Sequence, residues 1–346
     1  MATTGVAGRR APADDRLGPD GLALNFLLTG AAGFIGSHVA DALLAEGHAV
    51  VGVDNLDPYY DVARKEANLE EIDAADHAGT FDFHRTDIRD RGEIAALFSD
   101  RTFDSVVHLA AMAGVRNSID HPDVYWSVNL DGTRNLLENL VTSGGPKNFV
   151  FASTSSVYGA TEQIPFVESD PCDRPMVPYS ASKRAAELMG YSYHNLYDVN
   201  FTAVRFFTVY GPRGRPDMMA FKVLDSIYNG TTVPLNNGGD MSRDWTFISD
   251  IVSGVVAAAL RPSGYQVVNL GRGEPVSLSD FVAMIEKAVG KSAHFEDAPI
   301  PQGDIKSTHA DVSRARRLLD YDPEVSVEEG VQRFVDWYRS AVAQEA

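Results

Sequence analysis

The sequence predicts an α/β protein: a Rossmann-type, doubly wound parallel sheet. Three observations predict it. Apolar runs of strand length alternate with longer amphipathic stretches from residue 25 onward. The first run stops at a glycine-rich turn, Gly30-Ala31-Ala32-Gly33-Phe34-Ile35-Gly36, which opens a helical pattern. The strand after that helix ends in an acid, Asp54. A chain of 346 residues is long enough to bury such a sheet without disulfide staples.

The elements follow in order. Asn25–Thr29 is the first strand, and Ile35, Val39, Leu43 and Leu44 share one face of the next helix, with Gly47 as its natural C-terminal stop. Residues 48–53 form the second strand, closed by Asp54. Gly30 permits a tight turn, Gly33 lets backbone N–H groups approach a pyrophosphate, and Gly36 lets the helix pack close to the strand. The helix N-terminus then faces the anion. The spacing is GxxGxxG rather than the general GxGxxG; its setting of strand, helix, strand and acid is what makes it a dinucleotide turn. Asp54 can accept hydrogen bonds from ribose hydroxyls and would repel a 2′-phosphate, which favours NAD over NADP. Residues 80–84 form a strand, with Asp87 after it in reach of an adenine amino group. Residues 105–109 form a buried strand that runs into Ala110-Ala111, small enough to leave room for a cofactor. A helix over 123–143 carries Asn129, and 148–152 is the next strand.

Composition narrows the function. The chain is 44% hydrophobic and 23% charged, ordinary for a folded soluble protein, and its formal net charge is −18. So acidic a surface disfavours nucleic acid and anionic membrane as partners, and no run of basic residues offsets it. The single cysteine, Cys172, excludes internal disulfides and multi-cysteine metal sites and fits a reducing cytoplasm. The histidines show no metal spacing, so no metal is expected. No apolar run nears the roughly 20 residues that span a bilayer. Residues 1–22 read as a disordered tail; Arg9-Arg10 has no apolar region after it and is not an export signal.

Two segments carry the chemistry. Phe151-Ala152-Ser153-Thr154-Ser155-Ser156-Val157-Tyr158-Gly159 ends a strand, and Tyr179-Ser180-Ala181-Ser182-Lys183 opens a helix running to about Tyr197. Residues four apart share a helix face, so Tyr179 and Lys183 point into one site. An ammonium beside a phenol, with a nicotinamide cation, lowers the phenol from its ordinary value of ~10 toward a usable general base. Thr154 is placed to hydrogen-bond the same substrate oxygen.

In their order TGAAGFIG, DNL, HLAA, SVYG and YxxxK, the chain resembles the extended short-chain dehydrogenases/reductases that act on nucleotide sugars, from residue 25 to about 340. The resemblance implies a catalytic trio of Thr154, Tyr179 and Lys183 and a tightly held NAD. It implies a cofactor site made by Gly30, Gly33, Phe34, Ile35, Gly36, Asp54, Asn55, Asp87, Ile88, Leu109, Ala110, Ala111, Asn129, Tyr179 and Lys183. It divides the chain into an NAD-binding Rossmann domain over 23–205 and a smaller α/β substrate domain over 206–346, with some segments of the latter returning to the former. In the RDFxYxxD-like segment, Arg243 is the residue expected on the nucleotide diphosphate, where a guanidinium grips phosphate oxygens in pairs. The resemblance also implies a homodimer, through the apolar helices at 122–140 and Pro178–Tyr197; their apolar faces could equally serve an intramolecular core.

Missing residues narrow the reaction. Dehydratases of the family carry Asp-Glu after the catalytic Thr, and decarboxylases tend to carry one acid there; this chain has Ser155 and Ser156. The loop Arg213-Gly214-Arg215-Pro216-Asp217-Met218 and the stretches GVDNLDPYYD, HLAAMAGVR and GDMSRDWTFISD resemble the members that act on UDP-glucuronate. The resemblance therefore implies 4-epimerisation of UDP-glucuronate to UDP-galacturonate through a 4-keto sugar. Thr208 and Arg215 are then expected on the C6 carboxylate, with Arg116, Thr154, Ser155, Ser156 and Arg243 completing the substrate site. Lys222 is the least familiar residue of the loop that follows. Other readings stay open: a UDP-glucose or UDP-N-acetylglucosamine 4-epimerase, a UDP-glucuronate decarboxylase, or a non-enzymatic NAD-binding member.

Overall fold

The structure, a computed structural model, describes residues 23–145 and 147–342. The tail expected at 1–22 lies outside the described residues. In chain order, β1 is Asn25–Thr29, α1 Phe34–Ala45, β2 Ala49–Asp54, α2 Val62–Ala74, β3 Thr80–Arg85, α3 Arg91–Asp100 and β4 Ser105–His108. Two short helices follow, α4 Asn117–Asp120 and α5 Pro122–Trp126, then α6 Thr133–Thr142, β5 Asn148–Thr154, α7 Pro178–Tyr197 and β6 Asn200–Phe206.

The sheet is the doubly wound one expected. Its seven strands run in the order Tyr265–Leu270, β6, β5, β4, β1, β2, β3, every neighbour parallel. Strands buried on both faces read as continuous apolar runs, and every residue of β5 is buried. Strand order reverses at β1, which lies between β2 and β4. The crevice beyond the C-terminal ends of β1 and β4 is therefore where this topology binds ligands.

Beyond β6 the chain builds a smaller layer. Thr208–Tyr210 pairs with Trp245–Phe247, and Thr232–Asn236 with His294–Ala298. The helices α8 (Met219–Asn229), Leu278–Val289 and Val327–Ala341 cover these strands. Their core is aromatic: Trp245 stacks on Phe281 with centroids 3.8 Å apart. Between these pieces the helix Ile248–Leu260 packs on α1, and the strand Tyr265–Leu270 extends the main sheet beside β6. The two layers thus share a cleft.

The single helix expected over 123–143 departs from regularity. Ser127–Gly132 is a π turn between α5 and α6. Two contacts accompany it. The Thr133 hydroxyl donates back to the Asn129 carbonyl at 2.6 Å, and Gly132 packs so tightly that a Cβ there would sit 2.5 Å from Ile88 Cδ1. Such turns inside α-helices gather at functional sites.

Candidate active site

The cleft is a cavity of about 820 Å³ reached by both layers. Its floor is the glycine turn. Gly30 holds φ at +75°, and a Cβ there would meet Ala110 N at 2.7 Å, so this glycine serves both the turn and the approach of the β4 end. At Gly36 a Cβ would lie 1.9 Å from the Gly30 carbonyl oxygen, so helix and turn can close only on glycine. Gly33 is looser, with the same oxygen at 3.2 Å. No side chain caps α1 at Gly33. Gly33, Phe34, Ile35 and Gly36 line the cavity, so the uncapped first turn opens onto it. A cradle of glycine and an unsatisfied helix N-terminus is the chemistry a pyrophosphate needs, and a dinucleotide such as NAD fits these residues.

Asp54 stands at the end of β2, buried, its Oδ1 accepting the Leu56 amide at 2.8 Å. Lys65, on α2, lies 3.8 Å from the same oxygen and 5.0 Å from the centre of the Tyr60 ring. Sequence reasoning missed Lys65, because nothing in an amphipathic helix marks which lysine turns inward. Its charge offsets Asp54, so the bias against a 2′-phosphate is weaker than Asp54 alone implies.

Asn55, Asp87, Ile88, Leu109, Ala110 and Ala111 also line the cavity. Asp87, the acceptor expected for an adenine amino group, already holds partners of its own. Its Oδ1 takes the Arg89 amide and Nε at 2.8 and 2.9 Å; its Oδ2 takes Asn55 Nδ2 and Arg89 Nη2 at 3.0 and 2.7 Å. Those bonds fill the four lone-pair sites of a carboxylate and hold its pKa down to about 2. Asn129 lies deeper. It is fully buried behind the wall, with its side chain on both backbone groups of Met112 and on the Ser182 hydroxyl. It braces the cavity wall to α7.

Thr154, Tyr179 and Lys183 meet at one end of the cavity. Thr154 ends β5, where its Oγ1 accepts the Ser156 amide at 3.1 Å. Lys183, one turn below Tyr179, donates to the Ala152 carbonyl at 2.9 Å and lies over the Phe151 ring. Burial pulls its pKa down to about 7, against the pull of Glu187 one turn further on. The phenol is buried. Burial raises Tyr179 above its ordinary value, and the groups that oppose this are Thr154 and the Arg215 guanidinium. His108 is a satisfied core residue: it lies between the hydroxyls of Thr29 and Thr133 at 2.7 and 2.9 Å, and burial keeps it neutral.

The expected substrate residues Arg116, Ser155, Ser156, Thr208, Arg215 and Arg243 all line the cavity, as does Lys222. Ser155 and Ser156 sit in the 3-10 turn after Thr154. Arg116 is mostly exposed and lies 3.4 Å from Asp304. Arg243 points one nitrogen to the carbonyls of Ser242 and Lys306, at 2.9 and 3.1 Å. Arg215 is paired with Asp217, and Tyr59 reaches the same carboxylate. Asp217 and Tyr59 lie inside motifs singled out above, yet their joint position at Arg215 depends on contacts 158 positions apart.

Comparison with known proteins agrees with this class of site. Residues 26–271 match the NAD dependent epimerase/dehydratase family, and the chain belongs to that family. Within it, the chain is 43% identical over 318 residues to the UDP-glucuronate 4-epimerase of Thermodesulfobacterium geofontis (strain OPF15), covering 92% of this chain and 97% of that one. It is similar in structure to UDP-glucuronic acid 4-epimerase from Bacillus cereus, solved in complex with UDP-glucuronic acid and NAD. That match has a TM-score of 0.84 at 35% identity and covers 92% of this chain and 99% of the other. UDP-glucose 4-epimerase from Thermotoga maritima, solved with UDP-glucose, gives a TM-score of 0.84 at 28% identity, with 92% and 100% covered.

Proposed function

We propose that this protein interconverts UDP-glucuronate and UDP-galacturonate by oxidation and re-reduction at C4, with NAD retained in the cavity. The observation that carries the reading is the Arg215 guanidinium, which lines the cavity and is felt by the Tyr179 phenol. A cation there suits a C6 carboxylate, which a neutral hexose lacks. The likeness to the Thermodesulfobacterium and Bacillus enzymes supports the same reading.

The glycine turn and the first turn of α1 would hold the pyrophosphate, and Asp54 with Lys65 would take the adenosine ribose. NAD bound there would supply a hydride acceptor and donor. Tyr179 takes the proton of the C4 hydroxyl as the 4-keto sugar forms and returns it as the epimer forms. Thr154 hydrogen-bonds the same oxygen. Arg243 anchors the diphosphate while the keto sugar turns over. Ser155 and Ser156 supply no acid at neutral pH, so neither dehydration nor proton donation to C5 is promoted.

The 4-keto uronate is a β-keto acid and loses CO₂ readily when its C5–C6 bond stands perpendicular to the ketone plane. Thr208 and Arg215 hold the carboxylate out of that geometry. The dimer is part of the same reading: Trp126 on α5 and Leu188 and Tyr191 on α7 expose large apolar side chains, which a second copy would cover. No helix among the described residues is long and apolar enough to cross a membrane. The buried Cys172 suits a reducing compartment, and we place the protein in the cytoplasm.

Proton NMR of the purified protein with UDP-glucuronate, and separately UDP-glucose, without added NAD tests this. The expected result is the UDP-galacturonate anomeric signal in the first tube and little change in the second. Turnover of UDP-glucose alone would move the assignment to a neutral hexose and remove Arg215 from the site.

A further inference from the structure

The Arg215 guanidinium is held from behind. Asp217 accepts from Nε on one carboxylate oxygen at 2.9 Å and from Nη2 on the other at 2.6 Å. Tyr59 donates its hydroxyl to that second oxygen at 3.2 Å, and the guanidinium carbon lies 5.6 Å from the centre of the Tyr59 ring. Tyr59 is fixed in turn. Its hydroxyl fills the space beside Gly114, where a Cβ would stand 2.3 Å from the hydroxyl oxygen. Burial and Asp217 push the phenol up to about 12, so it remains a donor; Arg215 holds Asp217 below the usual carboxylate range, so it remains an acceptor. Three segments therefore meet: the loop after β2, the loop before α4 and the loop before α8.

This arrangement uses one edge of the guanidinium and spares the other. A guanidinium carries five N–H groups in a rigid fork. The Nε–Nη2 edge is taken, and Nη1 has no hydrogen-bond partner among the described residues. Arg215 and Asp217 both line the cavity. A side chain with four rotatable bonds would otherwise sample many directions; a bidentate carboxylate pins the plane of the fork and leaves a single free edge.

We propose that Asp217, oriented by Tyr59, is the positioning residue that aims the free edge of Arg215 at the sugar carboxylate, and thereby decides whether the keto sugar returns as epimer or loses CO₂. The inference rests on the reading of Arg215 as the carboxylate ligand. In the side reaction the C5–C6 bond breaks, its electron pair passes into the enolate of the 4-ketone, CO₂ leaves and a proton adds at C5. An Arg215 that wanders no longer holds C6 in the ketone plane, and this path opens.

Asp217 could instead act only as a charge that offsets Arg215, and the two roles predict opposite signs. Removing a mere offsetting charge makes the site more cationic and lowers KM for an anionic sugar. Removing the residue that aims Arg215 raises it. Asp217→Asn should raise KM for UDP-glucuronate about tenfold, the scale of one charge-assisted hydrogen bond. It should change kcat less, and should increase the UDP-pentose and CO₂ formed per epimerisation several-fold. Tyr59→Phe keeps the ring and every charge and should shift both readouts the same way by a few-fold; it carries the test if Asp217→Asn fails to fold. Affinity for UDP alone, measured by calorimetry, should be unchanged in both. A lowered or unchanged KM with the wild-type product ratio in either folded variant overturns the proposal. A wild-type protein that does not turn over UDP-glucuronate overturns the underlying reading instead, whatever the variants do.

Discussion

Gly36→Ala is expected to yield protein that purifies without nucleotide and is inactive. The added methyl would sit 1.9 Å from the Gly30 carbonyl oxygen and 2.7 Å from its carbon, both backbone atoms of the turn itself. Relief requires α1 to slide away from β1 or the turn to open. Either movement disperses the N–H groups of the first turn, which must converge on one pyrophosphate. The strain also reaches β4, because Gly30 is closed against the Ala110 backbone. Overpacking of this kind costs about 1–3 kcal/mol of stability. The larger loss is of cofactor, so activity should fall at least a hundredfold. Absorbance at 260 against 280 nm, and nucleotide released by acid precipitation, measure it directly. Gly33→Ala is the internal control, since its methyl meets that oxygen only at 3.2 Å and should leave part of the cofactor in place. Full nucleotide content in Gly36→Ala would contradict the account of the turn.

Tyr179→Phe should behave in the opposite manner. The ring stays, and with it the edge contact to Tyr125 at 6.1 Å between centroids. Only the hydroxyl is lost, the group proposed to take the C4 proton. Nucleotide content and affinity for the UDP-sugar should match the wild type, while kcat falls by roughly a thousandfold, within the range for a positioned acid–base group. Lost binding with a retained rate constant would make Tyr179 a substrate contact and leave the proton transfer to another group.

The parts of this protein legible in sequence are those with local physical causes. The glycine turn, the apolar strands and the four-residue step from Tyr179 to Lys183 are set by neighbours in the chain, and each lies where its spacing implies. Asp87 shows where such reading stops. An acid after a strand looks available to a ligand until Arg89 and Asn55 are seen to fill its lone pairs. Asn129 shows the same from the other side, since helical periodicity does not reveal a π turn that rotates a polar residue into the wall. Lys65 and the Tyr59–Asp217 contact depend on how α2 and the loop before α8 dock, which no local pattern encodes. The phenol is the subtler case. Burial raises it, Arg215 opposes this, and Lys183 is directed to Ala152; none of these follows from the four-residue spacing.

The most direct test of the central claim follows the hydrogen at C4. UDP-glucuronate carrying deuterium at C4 should be converted in ordinary water to UDP-galacturonate that keeps the label at C4, with no solvent hydrogen exchanged at C4 or C5. That result requires one hydrogen to leave C4, stay within the site and return to the other face. Loss of the C4 label to water, or exchange at C5, would mean that the configuration changes through a proton removed from carbon, and the account of Tyr179 as a base for the C4 hydroxyl would be wrong.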